Sequence, residues 1–600
     1  MKGFIKTTFA VIVGIFLSSF LLSMLGAFIV GAIVSSSNSS EPAQIDAQSI
    51  LVLDITKPIR EIGETDPFES LNSSFFPSNG ARGLHDVLDI IDKATNDENI
   101  AGIYLKGGSF GGSLPMAVEI REALSKFKAS DKFVYSYADG ISETGYYVIS
   151  EASRVYLNPI GNLELNGFSS EIMYFKDFFE KIGIKPEVFR VGKYKSAVEP
   201  FITDKMSDAN REQISSYLNG LYDYYLVGVS ASRGIDLETL RSISAEMKVR
   251  NAEDAVKFKL VDQLAYVDEV KEDLAKMLEI EESSDLSFIN YSKYKDALDP
   301  RSRRKGEGKV VVLSAEGEIK YGKADGSENV ITNKDLVPEL NKLAEDEDVS
   351  AVVLRVNSPG GSALSSDLIW RAVQNLKKKK PVVASMSTYA ASGGYYISMG
   401  CDKIVAYPNT ITGSIGIFGL AFNPSDLMTK KLGLKTYTVS TGKFSNYQSL
   451  LDDFSKEDRA IIQQNVNEGY EVFTSKAAEG RNMSLDALLK VAQGRVWTGS
   501  QAYEVKLVDE LGGYQKAIEV AAELAGLEED NYKIKYLPGE KDMLQELLSS
   551  LETGSEAKIK EMVLGEYSSY VDGTMSWLES LKGVQARQPY YEVIEGFEMP

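Results

Sequence analysis

Leu354-Arg355-Val356-Asn357-Ser358-Pro359-Gly360-Gly361-Ser362 is the stretch on which the fold turns, because the chain writes it twice. Leu105-Lys106-Gly107-Gly108-Ser109-Phe110-Gly111-Gly112-Ser113 is its earlier copy, at a period near 249 residues. Working outward, Gly145-Tyr146-Tyr147 recurs as Gly394-Tyr395-Tyr396, and Lys181-Ile182-Gly183-Ile184-Lys185 as Lys431-Leu432-Gly433-Leu434-Lys435. Gly192-Lys193 recurs as Gly442-Lys443, and Lys259-Leu260-Val261-Asp262 as Lys506-Leu507-Val508-Asp509. A period this long is a tandem duplication of a whole domain, not a solenoid.

Each copy alternates short apolar runs with helical patterns. In the second copy these are Val349 to Val356, Ser365 to Lys380, Val382 to Ser387, Ser392 to Met399 and Lys403 to Tyr407. Near-continuous Val, Ile and Leu between amphipathic helices predicts an α/β fold, a mostly parallel sheet covered on both faces. The plan is then a short stub and apolar span over 1–40, a first copy over 41–300, a second over 301–540, and a Glu- and Ser-rich, partly helical tail over 541–600. Asp299 to Gly308, rich in Arg, Lys and Gly, reads as the linker.

Composition removes several classes of function. Lys plus Arg total 65 against 86 Asp plus Glu, a net charge of -21, which argues against a phosphate-tracking nucleic-acid surface. The chain has one Cys and one His. Cys401 has no partner for an intrachain disulfide or a thiolate metal cluster and reads as core filler. His85 lies in Leu84-His85-Asp86-Val87-Leu88-Asp89-Ile90-Ile91, the opening of an amphipathic helix. With no second His, a His-rich zinc site is excluded. A Ser-His-Asp triad would have to recruit this one residue, so a hydrolase here needs another base; no metal or cofactor is expected.

No charge occurs from Thr7 to Ser40, and Phe9 to Val34 is largely Val, Ile, Phe, Leu, Ala and Gly. A spanning helix needs about 20 apolar residues, whereas a cleaved secretory signal has roughly 7–15 before its cleavage site. The length predicts a transmembrane anchor, with an unusually long cleaved signal as the alternative. Lys2 and Lys6 place the amino terminus in the cytoplasm and the body across the membrane.

The chemistry is expected where the repeated turn meets a second one. Asn357 to Ser362 leaves one strand through glycines whose N–H groups face outward. The next strand ends in Ser387-Thr388-Tyr389-Ala390-Ala391-Ser392-Gly393-Gly394, with Ser392 at a strand-to-helix corner. Two such turns at the carboxyl ends of adjacent parallel strands are where open α/β sheets bind ligands. The N–H groups of Gly361 and Gly393 are candidates for one oxyanion hole. Taken alone, Ser-Gly-Gly at a helix start also fits an ordinary cap.

The two copies differ where chemistry would sit. Ser392 matches Glu143, Gly393 matches Thr144, and Tyr194-Lys195-Ser196 matches Phe444-Ser445-Asn446. Each copy keeps half a site, provided the halves face each other; the competing reading of Lys195 is a solvated surface lysine.

Three stretches carry a family resemblance: Arg190-Val191-Gly192-Lys193-Tyr194-Lys195-Ser196-Ala197-Val198-Glu199-Pro200-Phe201, Arg355 to Ser362, and Ala391-Ser392-Gly393-Gly394-Tyr395-Tyr396. They closely resemble the long, two-copy form of the signal peptide peptidase A (protease IV) family, from the amino-terminal anchor to about residue 530. The resemblance implies a fold like that of Clp protease and the crotonases, and a homotetramer at the bacterial inner membrane with a periplasmic body. It also implies a Ser-Lys dyad of nucleophile Ser392 and base Lys195, with Ser414 in Thr412-Gly413-Ser414-Ile415-Gly416 orienting the lysine. The implied substrates are remnant signal peptides and other short apolar segments.

A lysine base makes a physical demand, since an amine with a pKa near 10.4 is protonated at neutral pH. Burial must lower it, and no carboxylate should pair with it. Glu199, four residues on, is therefore expected to point away or to pair with another cation. Two other readings compete: a crotonase-like acyl-thioester enzyme that uses the same oxyanion arrangement without a nucleophilic serine, and a non-catalytic anchored scaffold.

Overall fold

The computed structural model describes residues 45–65, 80–297, 306, 308–324, 329–447, 449, 452–529, 531–539 and 541–542. The expected membrane anchor at 1–40, most of the linker and nearly all of the tail lie outside the described residues. Among the described residues no helix is long and apolar enough to cross a membrane.

Two parallel sheets dominate residues 45–539, and they repeat one strand order. In the first copy the order across the sheet is Phe288–Asn290, Ser49–Asp54, Ile100–Lys106, Phe133–Ile141, Arg154–Leu163 and Gln263–Leu264. The second copy lays down Tyr532–Leu537, Gly308–Glu316, Ala351–Ser358, Val382–Ala391, Lys403–Ala406 and Glu510–Leu511 in the same sequence. A branch of the second sheet adds Ile411–Gly413 beside the end of Val382–Ala391, and then Val496–Thr498 antiparallel to it. In both copies the last strand returns to lie beside the first, so each sheet is closed at that edge by its own C-terminal segment.

The local causes repeat as well. Strand Ala351–Ser358 is buried along nearly its whole length, as expected for a parallel strand with helices on both faces. Ser113 and Ser362 each end the repeated glycine turn and cap the next helix, accepting the N–H of Met116 and of Ser365. Capping ties up one orphan donor of the first turn and fixes where the chain leaves the strand. Tyr146 and Tyr395 donate their hydroxyls to the carbonyls of Leu260 and Leu507, at 2.7 and 3.0 Å. Asp262 and Asp509 accept the strand N–H groups of Val155 and Ile404. Cys401 is buried in the second core, where burial pushes its thiol up to about 12, and His85 lies in the helix Leu84–Asn96 with its ring against Tyr536.

Among the contacts that join the copies, two devices position the site. Arg355, fully buried on the central strand of the second copy, donates Nε to Glu61 at 2.9 Å and Nη2 to Glu119 at 2.6 Å, both carboxylates coming from the first copy. Ser387 also donates to Glu61, and Glu119 accepts the Tyr514 N–H at 3.1 Å. The second device is an arm. Strand Lys185–Val191 leaves the first copy and pairs antiparallel with Ile417–Asn423 of the second, Val191 opposite Ile417.

Candidate active site

That antiparallel register assembles the site. The chain leaves the arm at Val191 and, after the positive-φ Gly192, delivers Lys195; the opposing chain passes Ser414 just before it enters the arm's partner at Ile417. Lys195 Nζ consequently lies 2.9 Å from both the carbonyl oxygen and Oγ of Ser414, and 3.0 Å from Ser392 Oγ. All three residues belong to one chain.

Ser392 occupies the predicted corner between strand Val382–Ala391 and helix Gly393–Ser398. Its backbone is at φ 54°, ψ −115°, a left-handed strain that an L-residue tolerates only where its surroundings hold it. Although it stands at the N-cap position, its side chain makes no capping bond. The Ser392 hydroxyl lies against the Lys195 amine instead, so an ordinary side-chain cap does not describe Ser-Gly-Gly at this corner.

Lys195 is 4% exposed. Burial pulls its ammonium down to about 7, with no opposing charge. Glu199 is buried close by in sequence but faces elsewhere: it accepts the Ser207 hydroxyl at 2.6 Å and pairs with Arg190 at 3.6 Å. The expectation that this carboxylate would be kept from the amine agrees with the geometry.

The two glycine turns meet, although the contact runs through Gly360 and not through Gly361, the glycine named for the site. Gly360, at φ 107°, is packed so that a Cβ there would stand 2.7 Å from the Gly393 nitrogen and 2.8 Å from Ser392 Cβ. Gly361 instead lies against Ile319. The Ile319 N–H donates to the Gly360 carbonyl and the Ser362 N–H donates to the Ile319 carbonyl. In a parallel bridge of this pattern the middle residue's own N–H faces away from the partner strand, so the Gly361 N–H is turned from Ile319. Gly393 begins the helix, where its N–H has no intrahelical acceptor.

A model of peptidase family S49 matches residues 126–281 and 374–528, the first span containing Lys195 and the second Ser392 and Ser414. The chain belongs to peptidase family S49. It is 34% identical to Protease 4 of Haemophilus influenzae over 82% of each chain, and 33% identical to Protease 4 of Salmonella typhi over 94% of this chain and 92% of that one. It is also 32% identical to the chloroplastic serine protease SPPA of Arabidopsis thaliana, over 76% of this chain and 68% of that protein. The protein is thus a serine protease of the S49 family, with two copies of the family's domain. A ClpP1 mutant from Listeria monocytogenes overlaps 34% of the chain at a TM-score of 0.24 and 16% identity, too slight to bear on the fold.

Several residues that hold this S49 site gave no sequence signal. Gly494, at φ 74°, passes so close to the base that a Cβ would lie 2.7 Å from Lys195 Cβ, and a Cβ on Gly416 would lie 3.2 Å from Lys195 Cδ. Gln213, from the long helix Asp208–Arg233, donates to the Tyr194 carbonyl at 3.0 Å and accepts the Val496 N–H at 3.2 Å. It ties the lysine loop to the strand beside Ser414, whose own N–H donates to the Arg495 carbonyl at 2.7 Å. Only Gly360 was visible beforehand, as the partner of Gly361 in the repeated turn.

Proposed function

We propose that this serine protease is a membrane-anchored signal peptide peptidase working through a Ser392–Lys195 dyad, and that the observation carrying the reading is a buried amine with no carboxylate partner 3.0 Å from a strained serine hydroxyl. A neutral amine has two N–H donors and one lone pair. Ser414 offers its carbonyl and hydroxyl oxygens to the two donors, which leaves the lone pair for the Ser392 O–H. Ser414 therefore orients the base.

In the reaction Ser392 Oγ attacks the scissile carbonyl while its proton passes to Lys195 Nζ. The N–H groups of Gly361 and Gly393 take the oxyanion. The ammonium so formed returns the proton to the leaving amine, the C–N bond breaks, and an ester to Ser392 remains. Lys195, neutral again, removes a proton from water; attack on the ester frees the acid and restores the hydroxyl. Desolvation that lowers the lysine pKa makes each transfer feasible near neutral pH.

The substrates in this reading are remnant signal peptides and similar short apolar chains. The apolar run from Phe9 to Val34 would hold the enzyme at the bacterial inner membrane, body outward, where such peptides are released. A Clp- and crotonase-like fold and a homotetramer belong to the same reading and rest on the motif resemblance.

The decisive experiment is labelling with a serine-reactive fluorophosphonate on wild type, Ser392→Ala and Lys195→Ala. Labelling of wild type alone is expected. Equal labelling of all three would end the dyad, and absence of labelling in a folded wild type would end the nucleophile.

A further inference from the structure

A lysine on a loop serves as a base only where the loop is held still, and the hydrogen bonds around Lys195 show how that is done. The short segment from Gln493 to Val496 is bonded to both parts of the base site. The Tyr194 N–H donates to the Gln493 carbonyl at 2.9 Å. The Ser414 N–H donates to the Arg495 carbonyl, and the Gly494 N–H to the Ile415 carbonyl, both at 2.7 Å. Two consecutive side chains from the start of helix Asp208–Arg233 close over this seam. Gln213, buried, donates from Nε2 to the Tyr194 carbonyl at 3.0 Å and accepts the Val496 N–H at 3.2 Å. The Glu212 carboxylate accepts the Tyr194 hydroxyl at 3.0 Å and Arg495 Nη1 at 2.9 Å, with the Arg495 guanidinium over the Tyr194 ring. Each side chain therefore bonds residue 194 on the lysine loop and residue 495 or 496 on the segment, fixing one against the other.

The duplication shows that the fold does not need this pair. Ser207-Asp208-Ala209-Asn210-Arg211-Glu212-Gln213 matches Ser455-Lys456-Glu457-Asp458-Arg459-Ala460-Ile461. Both serines cap their helices by accepting the third N–H, and both helices keep the arginine at the fourth position. Only the first has Glu-Gln where the second has Ala-Ile. The segment differs in the same way. On the register that matches Lys259 to Asp262 with Lys506 to Asp509, Gly494 and Arg495 match Met247 and Lys248. Met247 keeps the left-handed backbone, φ 46° against 74° at Gly494. The turn therefore tolerates a side chain, and it is Lys195 that leaves no room for one. Where Ser445 replaces the base, the residues that would grip its loop are replaced as well.

We infer that Glu212 and Gln213 are positioning residues of this protease: by holding Tyr194 against Arg495 and Val496 they set Lys195 Nζ where it meets Ser414 and Ser392 together. The inference rests on the dyad of the proposed function. Neither side chain bonds the amine, whose partners are the two Ser414 oxygens and the Ser392 hydroxyl, so neither takes part in proton transfer. Their effect is on where the amine stands, and a displacement of about 1 Å costs on the order of 10²-fold in rate. Stability is a separate matter, because an exposed ion pair such as Glu212 with Arg495 contributes little to it.

The test is Glu212→Ala/Gln213→Ile in the full chain, side chains that the second copy already carries on the matching helix. Wild type, this variant, Lys195→Ala and a destabilised control, Leu240→Ala in the first core, are compared well below their melting temperatures. The probes are an internally quenched apolar peptide and a fluorophosphonate. The double variant is expected to lower kcat by about 10- to 100-fold at a KM within about twofold of wild type. Labelling of Ser392 should slow by the same factor while its end point stays at one label per chain. Leu240→Ala is expected to keep the wild-type rate per labelled site, and Glu212→Gln, which still accepts from Tyr194 and Arg495, to bring the rate back toward wild type. Wild-type kinetics in the double variant would overturn the positioning role. So would a lowered end point at unchanged rate, the mark of damaged folding, or equal slowing in Leu240→Ala. If the double variant does not fold, Gln213→Ile alone carries the same readouts. Equal labelling of wild type and Lys195→Ala would remove the dyad and this inference with it, whereas labelling that needs Lys195 yet runs unslowed in the double variant would remove the positioning alone.

Discussion

Ser392 stands at φ 54° before a helix that begins at Gly393, whereas its counterpart Glu143 is the first residue of the helix Glu143–Ile149, behind a Ser142 cap at an ordinary φ of −76°. In the first copy the Ser142 hydroxyl and the Glu143 carboxylate are both spent on structure. Ser142 Oγ accepts the Gly145 N–H at 3.2 Å, and the Glu143 carboxylate accepts the Gly167 N–H at 3.1 and 3.2 Å. In the second, the backbone is strained and the serine hydroxyl caps nothing. The same strand and helix thus carry a relaxed corner and a reactive one. What separates them is an arm: Lys195 reaches Ser392 because Lys185–Val191 is paired, while the matching arm at 435–442 lies open and ends at Ser445, an exposed serine.

The largest effect should come from removing the group that only one corner receives. Lys195→Met or Lys195→Arg is expected to lower kcat/KM by about 10³-fold, within the usual worth of a general base, because arginine stays protonated and cannot accept the serine proton. In wild type, activity should rise as pH passes about 7, the lysine losing its proton there. A profile flat from pH 5 to 9 would refute the base. Stability moves by the same linkage. Between about 7 and the ordinary lysine value the unfolded chain binds a proton that the folded chain does not, so stability contributed at this site rises with pH over that window. Lys195→Met should therefore raise the melting temperature at pH 7 by a few degrees, with the gain shrinking toward pH 10. A gain that grows with pH would contradict the burial argument.

A smaller, purely structural contrast separates Arg355 from its counterpart Lys106. Arg355 is fully buried between Glu61 and Glu119, where burial raises the Glu119 carboxyl and the Arg355 charge opposes that rise. Lys106 is exposed at the matching place. Arg355→Met leaves two buried carboxylates without their cation and should cost about 3–5 kcal/mol in urea unfolding at pH 7, while Lys106→Met should stay within about 0.5 kcal/mol. Adding Glu61→Gln to Arg355→Met should restore part of the loss. If the two lysine and arginine variants unfold alike, Arg355 does not join the copies as described.

Much of this was legible in the chain because it is written twice. The α/β class and the presence of two like parallel sheets follow from Val, Ile and Leu runs that recur in register, and the separation of Ser392 from Lys195 followed from comparing Glu143 and Ser445 at the matching places. The arm was not legible. Its pairing joins Lys185–Val191 to residues more than two hundred positions away, and neither segment carries a local pattern that names the other. Glu61 gave no sign either, since a carboxylate in a short loop looks like any solvated charge until Arg355 is seen against it. A Cβ on Gly494 would run into Lys195, and one on Gly416 would run into the Gly494 backbone and then Lys195 Cδ, reasons that exist only once the chain is folded.

The smallest expected effect is also the one that most directly isolates what makes a corner reactive. Glu143→Ser gives the first copy a serine at the nucleophile position, yet no second fluorophosphonate-labelled serine should appear. Three things are still missing there. Position 445 is a serine, with no amine to take a proton; Thr144 stands where the second copy has Gly393, whose missing side chain lets it pack against Ser366; and Ser142 already caps the helix, so nothing holds the backbone in the strained form. Burial raises the Glu143 carboxyl, with the N–H groups of Gly167 and Asn166 opposing. The folded chain therefore keeps a proton there that the unfolded chain releases as pH rises past the ordinary carboxylate range, and stability at this site falls over that window. Glu143→Ser should remove this loss, so that its melting temperature gains on wild type as the pH is raised from 4 to 7, while labelling stays at one serine per chain. A second labelled serine, located by peptide mapping at position 143, would show that a serine at this corner suffices without a desolvated amine, and the contrast between the copies would then have to be explained by something other than the arm.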